Sequence, residues 1–208
     1  MTTNSRHLDL GCGQHPRNPY GCAELFGVDL SPETEPNSYQ IRAGNLAIDQ
    51  IPFPDNYFDS VSAYDFLEHI PRVLTTADGR STRFPFIDLI NEIHRVLKPE
   101  GRFYASTPFY PKVQAFSDPT HVNFITPDTH EYFTRRQSPT QMYELLGRMY
   151  GFHGDFTVLR IELISPDKDY HPARSDFWFK VERRFRRATR TTHFGRTHVL
   201  WEWVARKT

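Results

Sequence analysis

Asp9-Leu10-Gly11-Cys12-Gly13 sets two glycines behind an acid at the end of a short apolar run. Glycines there allow backbone dihedrals that a Cβ obstructs, and they let a ligand approach the chain closely. Asp29 follows Asp9 by twenty residues and closes a second apolar run, Leu25 to Leu30. A carboxylate in that place can accept both hydrogen bonds of a ribose diol, so the two features together point to a nucleotide-like ligand. Pro16 stands where a dinucleotide fingerprint wants a third glycine, and no second mononucleotide half follows. A different chemistry rests on His69, in Leu67-Glu68-His69-Ile70-Pro71, and on His121, in Ser117-Asp118-Pro119-Thr120-His121-Val122. An imidazole titrates near neutrality and can take a proton from a reacting hydroxyl. Asp118 is close enough in sequence to orient His121 or fix its tautomer. Both histidines also suit a structural role, His69 above all, because Leu67 and Ile70 beside it read as core. Asp118, His121, His130 and Glu131 match no metal-ligand spacing, so no metal is expected.

These residues need a scaffold. Short apolar runs alternate with helical patterns and turn signals, which predicts an α/β fold with a mostly parallel sheet. Strands are expected over residues 7–10, 25–30, 39–43, 58–64, 103–106, 156–164 and 198–204. Pro16 and Pro19 make any helix between the first two strands short or displaced. Phe86, Ile90, Ile93 and Leu97 share one face of a helix from about Phe84 to Leu97, stopped by Pro99-Glu100-Gly101. Ser138-Pro139-Thr140-Gln141 resembles a capping box and predicts a helix to Tyr150. Phe177, Val181 and Phe185 have helical spacing within residues 175–190.

The composition fits one soluble domain. In 208 residues, 25 Lys and Arg balance 25 Asp and Glu, and 38% of residues are hydrophobic. No stretch reaches the roughly 18 apolar residues of a membrane span. The start of the chain has no apolar run behind a basic segment, so no signal peptide is expected. Cys12 and Cys22 form no C-x-x-C and no disulfide framework, which points to a reducing, cytoplasmic setting. The neutral total hides a basic end: residues 171–208 hold ten Lys and Arg against three Asp and Glu. Arg183, Arg184, Arg186, Arg187 and Arg190 suit either a solvated helix face or a peripheral contact with an anionic acceptor or membrane surface. The acidic remainder argues against a general nucleic-acid binder.

HLDLGCG, GVDLS, GNLAIDQIPFPDNYFDSVSAYDFLEHI and EIHRVLKPEGRFYAST follow one another over residues 7–108. In this order they resemble the successive motifs of class I S-adenosylmethionine (SAM) methyltransferases, in the branch that methylates small molecules and sugars. The resemblance implies a Rossmann-like seven-stranded sheet, mostly parallel, with the last strand antiparallel and helices on both faces. It implies SAM at the carboxyl ends of the strands. Asp9, Gly11 and Gly13 would face its methionine end, Asp29 the ribose hydroxyls, and Leu30 the adenine. Asn45-Leu46 would flank the adenine, with the Asn45 amide oxygen able to accept from the amino group. Tyr64 and Asp65 would lie beside the methionine moiety. His15 replaces the third glycine of the family's first motif. Ala63-Tyr64-Asp65-Phe66 lacks the Asn/Asp-Pro-Pro-aromatic tetrad of enzymes that methylate bases in DNA, so no DNA substrate is expected.

The same resemblance gives the histidines a task. Methyl transfer from a sulfonium is an in-line displacement, for which the protein positions the acceptor and removes its proton. His121, in a proline-rich loop after the fifth strand, is the leading candidate for base or acceptor-orienting residue, with Asp118 behind it and His69 as the alternative. The expected acceptor is a small molecule or sugar bearing a hydroxyl. Two other readings are a SAM-binding protein without turnover and an enzyme reaching a lipid-linked or RNA acceptor through its basic segment. The whole chain, 1–208, is expected to form one domain. Acceptor-side loops are expected around 72–85 and 108–137, with a basic helical insertion around 171–195.

Overall fold

The apolar runs do become strands. The computed structural model describes residues 4–32, 39–135, 143–165 and 195–207. Its elements in chain order begin with β1 (Arg6–Leu10), β2 (Glu24–Asp29), β3 (Gln40–Ala43) and β4 (Phe58–Tyr64). A small hairpin, β5 (Leu74–Thr75) and β6 (Thr82–Arg83), leads to α1 (Pro85–Val96) and β7 (Leu97–Pro108). Then come α2 (Gln114–Ser117), α3 (Tyr143–Met149), β8 (Phe156–Ile164) and β9 (His198–Ala205). The hairpin and α2 fall inside segments that the sequence reading leaves as loops. The basic segment and the start of the expected 138–150 helix lie outside the described residues.

Seven strands form one sheet in the order β3-β2-β1-β4-β7-β9-β8. The pairs β1–β2, β1–β4, β2–β3 and β4–β7 are parallel. β9, the last strand, is antiparallel to both neighbours. Its first residue, His198, therefore pairs with Pro108 at the end of β7 and reaches the carboxyl edge of the sheet. This is the Rossmann-like arrangement with an antiparallel final strand.

Alternation along the strands gives the sheet two different faces. Leu8, Leu10, Val28, Val61, Ala63, Phe103, Ala105 and Trp203 join one buried apolar cluster with Phe86, Leu89, Ile90 and Ile93 of α1. Pro85 at the first turn presets the helical φ. Truncating Ile90 or Ile93 to Ala would cost about 2–5 kcal/mol. The opposite face is polar: His7, Asp9, Ser60, Ser62, Ser106 and Glu202 are all buried there. Residues 11–23 cover part of it as a loop without a helix, as Pro16 and Pro19 predict. The Tyr20 hydroxyl donates to Glu202 at 2.8 Å. Cys12 and Pro16 lie against Gly27, where a Cβ would come within 2.4 Å of the Cys12 sulfur.

Candidate active site

The glycine turn and the acid of β2 meet at the carboxyl edge of the sheet. Gly11 has φ +64°, and a Cβ there would come within 2.3 Å of the Phe66 ring. Its N–H donates to the Val28 carbonyl at 2.9 Å. Gly13, at φ +55°, has nothing within 4 Å of where a Cβ would stand. Its N–H donates to Asp29 Oδ2 at 2.8 Å, which ties the two motifs together. Leu30 beside them is 67% exposed, an apolar side chain left on an open edge. The turn thus offers a cradle with room in it, an apolar flank and a carboxylate. These features fit the ribose and adenine of SAM.

The other expected cofactor residues take varied positions. Asn45 Oδ1 accepts from the Ala47 N–H at 3.2 Å. Leu46 is buried in the apolar core. Tyr64 is buried on the polar face against Tyr104, with the Arg17 guanidinium 4.4 Å above its ring. Asp9 lies beneath the glycine turn and is 2% exposed. One of its oxygens accepts from the Arg17 N–H at 2.8 Å and the other from the Ser62 hydroxyl at 2.5 Å. Burial pushes the Asp9 carboxyl up to about 7, and those two donors offset only part of the shift. Ser62 links onward to His7 Nε2 at 2.8 Å, and His7 Nδ1 pairs with Ser60 at 2.7 Å. Complete burial lowers the His7 pKa to about 3, so this imidazole is neutral.

A second cluster forms where β4 and β7 end. Asp65 has φ +48°, and its Oδ1 lies 2.8 Å from His198 Nε2, within hydrogen-bond distance. The His69 and His121 rings pack edge to face with centroids 4.8 Å apart. Asp118 bonds to the Thr120 N–H and hydroxyl, at 2.8 and 2.6 Å. The Thr120 oxygen lies 2.9 Å from His69 Nδ1. The Asp118 carboxylate thus reaches an imidazole through Thr120, and that imidazole is His69. Burial and the neighbouring His121 lower the His69 pKa. His121 Nδ1 faces the Ala115 carbonyl at 3.4 Å, and its Nε2 lies 3.9 Å from Glu68 Oε1. His130 belongs elsewhere, giving its Nδ1–H to the Pro127 carbonyl at 2.7 Å.

Glu68, Thr120 and His198 carry no role in the sequence reading, yet the fold brings all three into this cluster. Glu68 is 1% exposed, and burial pushes its carboxyl up to about 8. Its Oε2 accepts from the Thr107 hydroxyl at 2.8 Å, whereas Oε1 has no hydrogen-bond partner among the described residues. A cavity of about 260 Å³ opens here, lined by Asp65, Glu68, Pro108, Asp118, His121 and His198 among others. His198 could have been anticipated, because an antiparallel last strand must begin at the carboxyl edge. On the loop that follows β7, Phe116 stacks on Phe124 at 4.9 Å and meets Tyr110 edge-on at 6.1 Å, and all three rings are exposed.

Comparison with known proteins agrees with this architecture. Residues 8–105 match the family model of a methyltransferase domain. No curated protein matches the chain in sequence. A SAM-dependent methyltransferase from Archaeoglobus fulgidus superposes with a TM-score of 0.55 at 17% identity, covering 97% of this chain and 86% of that one. One from Mesorhizobium loti gives 0.52 at 14% identity, over 97% and 91%. A chain from a complex containing the Trm112 methyltransferase activator of Haloferax volcanii gives 0.53 at 21% identity, over 100% and 86%. At such identities the structural likeness is one of fold. No helix among the described residues is long and apolar enough to cross a membrane.

Proposed function

From the match of residues 8–105 to a methyltransferase domain and the fold shared with SAM-dependent methyltransferases, we propose that the chain is a class I SAM-dependent methyltransferase, that its acceptor is a small molecule or sugar, and that a hydroxyl receives the methyl group. The observation that carries this reading is the cavity of about 260 Å³ beside Asp65, lined by His121, His198, Asp118 and Glu68. It is at or below the small end of the range for ligand pockets, and its walls bear several groups that accept or exchange a proton. The exposed rings of Tyr110, Phe116 and Phe124 on the same loop system suit the apolar face of a sugar or an aromatic body.

SAM supplies a methyl group already activated by a sulfonium charge. Asp29 would hold the ribose diol and Leu30 the adenine face, with the Asn45 amide oxygen near the adenine edge. Gly13 would leave room for the methionine end, beside Asp65, while Gly11 lets the turn close on the Phe66 ring. Asp9 would support that turn from beneath through the Arg17 N–H. At the acceptor, activation falls to the group of His121, His69 and Glu68, with His121 on the cavity wall. Thr120 and Asp118 position His69.

The test is formation of S-adenosylhomocysteine from SAM with a panel of sugars and small hydroxylated, amine and thiol acceptors. Turnover with hydroxylated compounds is expected. His121→Ala should reduce it by about 10²–10⁴-fold while changing SAM affinity little. Turnover confined to amines, thiols or RNA would overturn the hydroxyl reading. A well-folded His121→Ala protein working at the wild-type rate would remove His121 from the chemistry.

A further inference from the structure

Three side chains from two separate segments converge in an arrangement that a hydrogen-bond network alone does not complete. One ligand atom each from Glu68, His69 and His121 lies within 4.8 Å of the other two. Glu68 Oε1 is buried and has no hydrogen-bond partner among the described residues, and a buried acceptor left so costs roughly 1–3 kcal/mol. His69 Nδ1 is held by Thr120, which is itself bonded to Asp118. His121 Nδ1 faces a backbone carbonyl. With each Nδ1–H given to an oxygen, Nε2 keeps the lone pair on both rings. Such outer partners commonly fix the tautomer of metal-binding histidines.

A proton shared between Glu68 and His121 does not complete the group. Their separation of 3.9 Å is too long for a hydrogen bond, and His69 would remain outside it. A cation would satisfy all three at once. We propose that Glu68, His69 and His121 bind one divalent transition-metal ion, with its remaining coordination positions open to the acceptor cavity. Two imidazoles and one carboxylate favour ions such as zinc, cobalt or manganese over magnesium or calcium, which prefer oxygen ligands. Bonds of about 2.0–2.2 Å require these side chains to draw in somewhat from their present spacing. The sequence reading expects no metal because ligand spacing along the chain shows none. Here two adjacent residues and a third from a distant loop supply the set.

The ion's role rests on the proposed hydroxyl acceptor, although its binding does not. An acceptor oxygen drawn to the ion would lose its proton to water more readily, and the imidazoles would then act as ligands in place of a proton acceptor. The oxygen would form the new bond to the methyl carbon, and the breaking carbon–sulfur bond would leave its electron pair on sulfur.

The experiment titrates the metal-stripped full chain with CoCl2 and ZnCl2, without SAM or acceptor, by calorimetry and visible absorption of cobalt. One saturable site per chain is expected. Glu68→Gln and His121→Ala should each weaken it at least tenfold, and Thr120→Val by about 10–100-fold through the loss of outer-shell support. His153→Ala, an exposed histidine outside the group, should change nothing. Thermal melts and SAM binding of each variant show that it is folded. Absence of saturable binding, or binding indifferent to both Glu68→Gln and His121→Ala, would overturn the metal site. Such a failure would leave the hydroxyl reading intact, because that reading fails in the acceptor panel and not in this titration.

Discussion

Asp9 and Glu68 are both buried, and burial pushes both carboxyls upward, to about 7 and about 8. They differ in what their oxygens meet. Each oxygen of Asp9 has a donor, and the chain of bonds continues through Ser62 and His7 to Ser60 on the covered face of the sheet. Glu68 has one oxygen engaged by Thr107 and one without a hydrogen-bond partner among the described residues, on the wall of a cavity that His121 also lines. A buried polar network that closes on itself holds a scaffold in register. One that stays open toward a cavity keeps bonding capacity for something that arrives. By this contrast the polar face positions the glycine turn, and the proposed acceptor chemistry falls to the β4–β7 edge.

Among the binding and stability tests of this contrast, Asp29 comes first, because it joins the turn to the ligand side. Asp29→Ala should weaken SAM binding at least tenfold in calorimetry, from the loss of charge-assisted hydrogen bonds worth about 1.5–3 kcal/mol. Unchanged affinity would remove Asp29 from the cofactor site. Next comes Ser62→Ala, which leaves one Asp9 oxygen and one His7 nitrogen unpaired. A loss of about 1–3 kcal/mol in chemical denaturation is expected, and no loss would mean that the closed network does not stabilise the sheet.

The last of these tests is a pH slope, small at any single pH step. The folded pKa of Asp9 is raised, so its contribution is fully present below the unfolded value, 3.8, and is lost as pH rises toward about 7. The folded pKa of His7 is depressed, so its contribution is present above 6.5 and is lost as pH falls toward about 3. The two slopes oppose each other between pH 4 and 6.5. Asp9→Asn removes one of them. Its stability relative to wild type should rise from pH 4 to 7, by at most about 1.4 kcal/mol per pH unit. A difference that does not change with pH would show that Asp9 does not titrate in that window.

The legible parts of the molecule were those whose signals are local. Strand runs, the α1 stripe and the prolines of the β1–β2 loop act within a few residues, and each predicts the element found. The spacing of Gly11, Gly13 and Asp29 is also short-range, because adjacent parallel strands carry it. The open cluster was not legible in the same way. Thr120 meets His69 across 51 residues, and His198 meets Asp65 through a strand that returns antiparallel from the end of the chain. Glu68 carries no signal of its own in the sequence, and the 3-10 turn at Leu67–His69 buries it. Such partners share no periodicity, so only the packed sheet brings them together.

The contrast between closed and open networks is tested most directly by one pair of rates, measured per folded molecule with saturating SAM and the acceptor found in the panel. His121→Ala, in the open cluster, should fall by about 10²–10⁴-fold. Ser62→Ala, in the closed network, should lose stability yet keep a rate within about tenfold of wild type. A His121→Ala enzyme at the wild-type rate, or a Ser62→Ala enzyme that is stable but inactive, would contradict the assignment of chemistry to the β4–β7 edge.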